Sequence, residues 1–319
     1  MTARLLALLR SPAVRWGFLV VALGGAVWTV VEYRQELTAA AGQLSAGRLL
    51  GALVVSVAYI ACTFVAWRRV LADLGSPLPL GAAAGVFGVS QVGKYVPGGV
   101  WNVVAAAELG AAHHVPRQRS LAAMAVSVLI GVVSGCAVGA TSLPFLATES
   151  LGPWRAVLWA APLVLVLLVP AVLNRVVDVA FRLIRRPPLE HPLTWRGLGV
   201  ATAWSVAGWL LAGLQVWLLV TALGVPATPR TVALAVGGYA AAWVAGFLAV
   251  LAPAGAGVRE VVLAAVLGVG AAGALPAHAA ALTVLVSRVL LTVVDLAFAG
   301  AGALAARRSR PARAVGSVP

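Results

Sequence analysis

Apolar residues fill this chain in long unbroken blocks, without the alternating or amphipathic stripes of a water-soluble domain. The blocks run over positions 13–33, 48–72, 118–146, 153–174, 198–222 and 277–305. About 20 apolar residues at 1.5 Å each cross a hydrocarbon core of about 30 Å. The pattern therefore predicts six transmembrane helices.

Two further regions are apolar but interrupted. Region 80–112 breaks at Pro97-Gly98-Gly99, and region 229–272 breaks at Pro253-Ala254-Gly255-Ala256-Gly257. Most of the pieces are short for a crossing, although 229–251 is long enough to span. Each pair reads as a re-entrant helical hairpin, a form tolerated at membrane depth where the irregular backbone is buried in protein or lines a cavity. The predicted fold is an all-α integral membrane protein: one domain over 1–319, with a first helix at 13–33, a linking helix at 153–174 and a basic tail at 306–319.

The two interrupted regions share landmarks in the same order. Each follows a long helix ending in Leu-Gly-x-Pro, at Leu74-Gly75-Ser76-Pro77 and Leu223-Gly224-Val225-Pro226. Each resumes after its break with a helix ending in Leu-Gly, at Leu109-Gly110 and Leu267-Gly268, and each passes a proline, Pro116 or Pro276, before the next long helix. Segments 48–146 and 198–305 thus read as two copies of one unit.

Composition removes the soluble alternatives. The chain is 62% hydrophobic and 10% charged, against about 25% charged in soluble domains. Its net charge of +14 would suggest nucleic acid in a soluble protein; here it follows from topology, because cytoplasmic loops collect Arg and Lys. With six crossings and the N-terminus inside, sixteen basic residues fall in inside segments and only Arg34, Arg48, Arg155 and Arg230 outside. Both termini are expected in the cytoplasm and the protein in a bacterial inner membrane. On this topology the first hairpin enters from the cytoplasm and the second from outside, which makes the copies an inverted repeat of the kind built into many transporters. The run after Arg15 admits a signal-peptide reading, but its length and the lack of a clear cleavage site favour a first helix.

Six charged residues read as intramembrane: Lys94, Glu108, Arg259, Glu260, Arg288 and Asp295. Such residues face a partner or a water-filled cavity. Lys94 is the only lysine among 23 basic residues and precedes the first break; Arg259 and Glu260 follow the second. The plainer reading of Lys94 is a side chain snorkelling to the interface, and of Asp295 a clamp on a cation from a neighbouring helix. A half-helix beginning after Pro97-Gly98-Gly99 or after Gly255-Ala256-Gly257 has free N–H groups, a positive dipole end and glycine for close approach. With Lys94, Arg259 and Arg288 nearby, such a centre suits a phosphate. Glu260 is placed to orient Arg259 or carry a proton; Gln91 and Asn102 read as polar liners; Tyr95 and Trp101 read either as headgroup contacts or as interfacial aromatics.

Cys62 and Cys136 lie inside apolar spans as small hydrophobes, and the histidines lack metal-ligand spacing. Neither a catalytic set nor a nucleotide loop of the Walker kind is evident, so no enzyme activity, metal or cofactor is expected.

The run Gly93-Lys94-Tyr95-Val96-Pro97-Gly98-Gly99-Val100-Trp101 resembles the first signature of the lysylphosphatidylglycerol synthase transmembrane-region family. Gly255-Ala256-Gly257-Val258-Arg259-Glu260 is similar to its second motif, with Val261 where a small residue is usual, and Ser287-Arg288-Val289-Leu290 with Asp295 looks like its last helix. The resemblance implies a flippase-like membrane domain with Lys94, Tyr95, Pro97, Trp101, Arg259, Glu260 and Arg288 lining a lipid-headgroup site. The aminoacyl transferase domain that follows it in the multiple-peptide-resistance proteins has no counterpart here, so lipid aminoacylation is not implied. The expected partner is an anionic membrane lipid, phospholipid or polyprenyl-phosphate-linked. The alternative is a non-transporting partner of a lipid-modifying or glycosyltransferase enzyme, and a third reading is a small-anion or proton-coupled transporter. The Gly/Ala content is compatible with a monomer or a homodimer.

Overall fold

The computed structural model describes residues 31, 34–95, 101–146, 161–183, 185, 188–249, 255–270 and 275–308. Every element among them is helical. They are α1 (Arg34–Ala41), α2 (Ala46–Asp73), α3 (Leu80–Gln91) closing in a 3-10 turn (Val92–Tyr95), α4 (Trp101–Ala111), and α5 (Arg117–Gly139) with a 3-10 extension (Ala140–Phe145). A 3-10 segment (Ala161–Leu168) then leads into α6 (Pro170–Leu183), followed by α7 (Trp195–Ala222), α8 (Pro229–Leu248), α9 (Val258–Gly270) and α10 (Ala277–Arg308).

Five stretches are long and apolar enough to cross a membrane: Ala46–Asp73, Arg117–Phe145, Trp195–Ala222, Pro229–Leu248 and Ala277–Ala305. Four coincide with predicted crossings; the fifth is the first arm of the second interrupted region. Their outer faces are apolar too. Leu50, Val54 and Val57 on α2, and Val289, Val293 and Leu296 on α10, recur at i, i+4, i+7 and are exposed. Such stripes suit acyl chains, not water.

The predicted first helix at 13–33 lies almost wholly outside the described residues, as do positions 153–160 of the predicted 153–174 helix and most of the tail. The rest of that linking helix differs from expectation. Residues 161–168 are 3-10, and α6 begins at Pro170 and runs to Leu183, past the expected end at 174. Proline suits a helix start. Arg175, Asp178 and Arg182 then alternate with an apolar face on which Leu173 and Phe181 are buried, giving an amphipathic helix where block hydropathy showed only an end.

The two longest fully described apolar helices other than α10 have matching caps. Helices α2 and α7 are each 28 residues long, and each starts with a hydroxyl cap: Ser45 accepts from the Arg48 N–H, and Thr194 from the Gly197 N–H at 3.0 Å. Both end at the Leu-Gly landmark with the same Schellman motif. Ser76 N–H donates to Leu71 O at 3.1 Å and Val225 N–H to Val220 O at 3.2 Å, with Gly75 and Gly224 at φ +81° and +88°.

Contacts between helix ends set the layout. At one end, Arg119 donates to Gly75 O at 3.2 Å and pairs with Glu190, and Asp73 accepts from Thr194 N–H at 2.7 Å. These bring together the end of α2 and the starts of α5 and α7. At the other end, Arg48 donates to Thr221 O at 3.1 Å and Arg230 to Phe145 O at 3.2 Å. Those unite the start of α2, the end of α7, the end of the 3-10 extension of α5 and the start of α8.

Packing crosses between segments 48–146 and 198–305. Helix α3 lies on α10, and α8 lies on α5. The α3–α10 approach depends on glycine: a Cβ on Gly88 would stand 2.7 Å from Phe298 O. One core cluster gathers Phe64, Trp67 and Phe87, and the other gathers Tyr59, Trp209 and Tyr239. The residues around both breaks lie where these two cores meet α10.

Candidate functional site

At the first break α3 tightens into the 3-10 turn Val92–Tyr95, a common way to end a helix. The chain doubles back closely: a Cβ on Gly93 would stand 2.6 Å from the Asn102 amide nitrogen and 2.7 Å from the Trp101 carbonyl carbon. Glycine is therefore required by the approach of the two backbones. The turn presents Lys94 and Tyr95 to α10. Lys94 Nζ lies 2.6 Å from Asp295 Oδ2, and the Tyr95 hydroxyl donates to the same oxygen at 2.7 Å, with Thr292 Oγ1 3.5 Å away. Asp295 is 3% exposed, and its other oxygen, Oδ1, is buried with no hydrogen-bond partner among the described residues.

At the second break Gly255 and Gly257 adopt φ of +73° and +85°, the left-handed region that suits glycine. A Cβ on Gly255 would stand 3.0 Å from Gly246 Cα, so this glycine lets the chain cross the end of α8. Gly257 is the N-cap of α9. Its N–H donates to Glu260 Oε2 at 2.6 Å, the reciprocal half of a capping box. The other carboxylate oxygen, Glu260 Oε1, lies 3.3 Å from Arg288 Nε on α10. Arg259 turns elsewhere: its Nη2 donates to the Tyr239 hydroxyl on α8, with the guanidinium 4.7 Å from the ring centroid. Tyr239 is fully buried and meets Tyr59 edge to face.

Helix α10 joins the two breaks. Arg288 and Asp295 are seven residues apart and share a face over two turns. Arg288 faces Glu260 of the second break, and Asp295 faces Lys94 of the first. The expected clamp role of Asp295 is therefore present, with Lys94 as the clamped cation. Lys94, Arg259 and Arg288 come close enough for their charges to repel one another.

Two expectations about Glu260 and its helix need correction. Glu260 does not orient Arg259; it binds Arg288 and the Gly257 N–H, because its position in the first turn favours reaching back to its own cap. That N–H, expected free for a ligand, is already taken. Glu108 lies away from the centre, in an exposed pair with Arg117 at 2.8 Å. Trp101 is 47% exposed, and Asn102 contributes the backbone against which Gly93 packs. Pro97, Gly98 and Gly99 lie outside the described residues.

Sequence reasoning missed Tyr239 and Tyr59, although three of the chain's four tyrosines, Tyr59, Tyr95 and Tyr239, turn out to gather here. It also missed the buried knot beside them. Gln215 on α7 donates to Ser56 Oγ on α2 at 2.9 Å and accepts from Ser287 Oγ on α10 at 2.7 Å. Gln215 and Ser56 are fully buried. A rare polar residue inside an apolar helix was the available signal.

Fold and site together define a multi-pass, all-helical membrane protein with an ionic cluster where two broken segments meet one long helix. The family model for the lysylphosphatidylglycerol synthase transmembrane region matches residues 7–300. The chain belongs to that family, which suggests a membrane protein of lipid metabolism or transport. No curated protein matches the chain.

Proposed function

We propose that this protein is a non-enzymatic lipid translocase. It binds the phosphate-bearing headgroup of an anionic phospholipid or polyprenyl-linked lipid between the two broken segments. The observation that carries the reading is the convergence of Lys94, Arg259 and Arg288 from three different elements onto one polar centre. A cation at membrane depth is costly unless it is paired, and Arg259 has no carboxylate partner among the described residues.

The proposed mechanism is alternating exposure of an inverted repeat. The matching caps of α2 and α7 support two copies of one unit. The end contacts support their inversion: α2 ends and α5 starts at one end of the molecule, whereas α7 ends and α8 starts at the other. The first arm-to-arm region, with helices of 12 and 11 residues, is too short in each arm to span. In the second region α8 spans and α9, at 13 residues, does not. Rocking of one unit against the other about α10 would expose the headgroup site to each side in turn while acyl chains stay in the bilayer.

Reconstituted protein should move a fluorescent anionic phospholipid between leaflets, and Lys94→Ala and Arg259→Ala should each abolish that movement while migrating as folded protein in size exclusion. Wild-type rates in either variant would sink the proposal. A second reading, a non-transporting partner of a lipid-modifying or glycosyltransferase enzyme, is favoured by one observation: Lys94 and Arg288 are already paired within the protein. It expects no lipid movement by the wild type and loss of a co-purifying enzyme in the variants.

A further inference from the structure

The ionised side chains around the two breaks do not balance. Lys94 is matched by Asp295 at 2.6 Å, and Arg288 by Glu260 at 3.3 Å. Arg259 has no carboxylate partner among the described residues; it rests on the neutral phenol of Tyr239. Among the described residues of the cluster, three positive charges thus stand against two negative ones. The stretches that complete the two breaks, 96–100 and 250–254, contain no ionisable side chain to correct this. The buried acceptor left open beside Lys94 among the described residues, Asp295 Oδ1, already belongs to the paired carboxylate.

We infer that the site selects its headgroup by valence, accepting the single negative charge of a phosphodiester over the two of a phosphomonoester, and that Asp295 and Glu260 set this number. The inference rests on the headgroup reading above. One negative charge neutralises the cluster as it stands. A phosphomonoester above its second pKa of about 6 carries two, and the second would sit unpaired in a medium that solvates it poorly. Removing either carboxylate raises the surplus to two positive charges and so should favour the dianion. Arg259 is the cation the ligand neutralises; Asp295 and Glu260 are specificity-setting residues that need not touch it.

The test offers detergent-purified protein equal amounts of phosphatidylglycerol and phosphatidic acid of matched acyl chains, at a pH of about 8 so that the monoester is dianionic. Retained lipid is read by native mass spectrometry. Wild type should favour phosphatidylglycerol by about tenfold, the scale of one charge interaction at intermediate dielectric. Glu260→Gln keeps an amide oxygen for the Gly257 N–H and removes only charge, so the preference should narrow or reverse. Asp295→Asn is the second variant should the first fail to fold. Equal retention of both lipids, unchanged in the variants, would overturn valence selection and leave the headgroup site standing. Retention of neither lipid by any form would overturn both. Displacement of bound lipid by an equal concentration of glycerophosphoglycerol would keep the valence rule and move the ligand to a soluble phosphodiester.

Discussion

The two breaks place a cation at the same centre by opposite means. The first carries Lys94 before its interruption, on a 3-10 turn, and takes its counter-charge from α10 through Asp295. The second carries Arg259 after its interruption, in the first turn of α9, and has its own carboxylate in Glu260, which serves the helix cap and Arg288 instead. The first break is thus electrostatically dependent on α10, whereas the second is folded by its own glycines and cap, packs on α10 through apolar contacts and makes its ion pair there with Arg288. A charge borrowed across elements ties their movements together. Any rearrangement that moves the first break away from α10 must separate Lys94 from Asp295.

This asymmetry predicts unequal losses. Asp295→Ala should cost the most stability, about 2–3 kcal/mol. That is below the roughly 3–5 kcal/mol of a fully buried broken pair, because the Lys94 side chain keeps 29% of its exposure and can recruit water. Thermal unfolding in detergent measures it. Glu260→Ala should cost less in the same assay, since its side chain is 28% exposed and Arg288 23%. Equal costs would erase the proposed difference between the breaks. Gly255→Ala comes next, at about 1–2 kcal/mol for a left-handed backbone with a Cβ, plus the push against Gly246 at 3.0 Å. The comparable test at the first break is steric alone, because Gly93 is required by contact with the α4 backbone.

Smaller effects sharpen the picture. Gln215→Leu should cost about 0.6 kcal/mol, the average for a hydrogen bond between membrane helices, and should leave lipid binding unchanged if the α2–α7–α10 knot only joins helices. Glu108→Gln should leave the unfolding temperature unchanged within error, because its pair with Arg117 is exposed. A loss there would mean that α4 and α5 are held by their polar ends.

Much of this was legible in the chain. The Leu-Gly-x-Pro landmarks became identical Schellman caps, because a helix that must stop in apolar surroundings satisfies its last carbonyls locally, and glycine does so most cheaply. The charged residues singled out as rare within apolar blocks, Lys94, Arg259, Glu260, Arg288 and Asp295, include both ion pairs of the centre. The partner of Arg259 was not legible, since Tyr239 lies twenty residues upstream on another helix inside a run of small residues. The amphipathic α6 was hidden because its charges read as the loop beyond a hydrophobic block.

By itself the sequence determined that the protein lives in a membrane, where α2 and α7 stop and which charges are too costly to be incidental. Those are local properties: hydropathy over a span, a glycine where φ must be positive, a cation among apolar neighbours. Only the tertiary structure decided which charge meets which. Pairing of Lys94 with Asp295 and of Arg288 with Glu260 depends on how α10 lies against both breaks, a relation between segments that share no sequence neighbourhood. That Arg259, within this cluster, has no carboxylate partner among the described residues is a property of that arrangement alone.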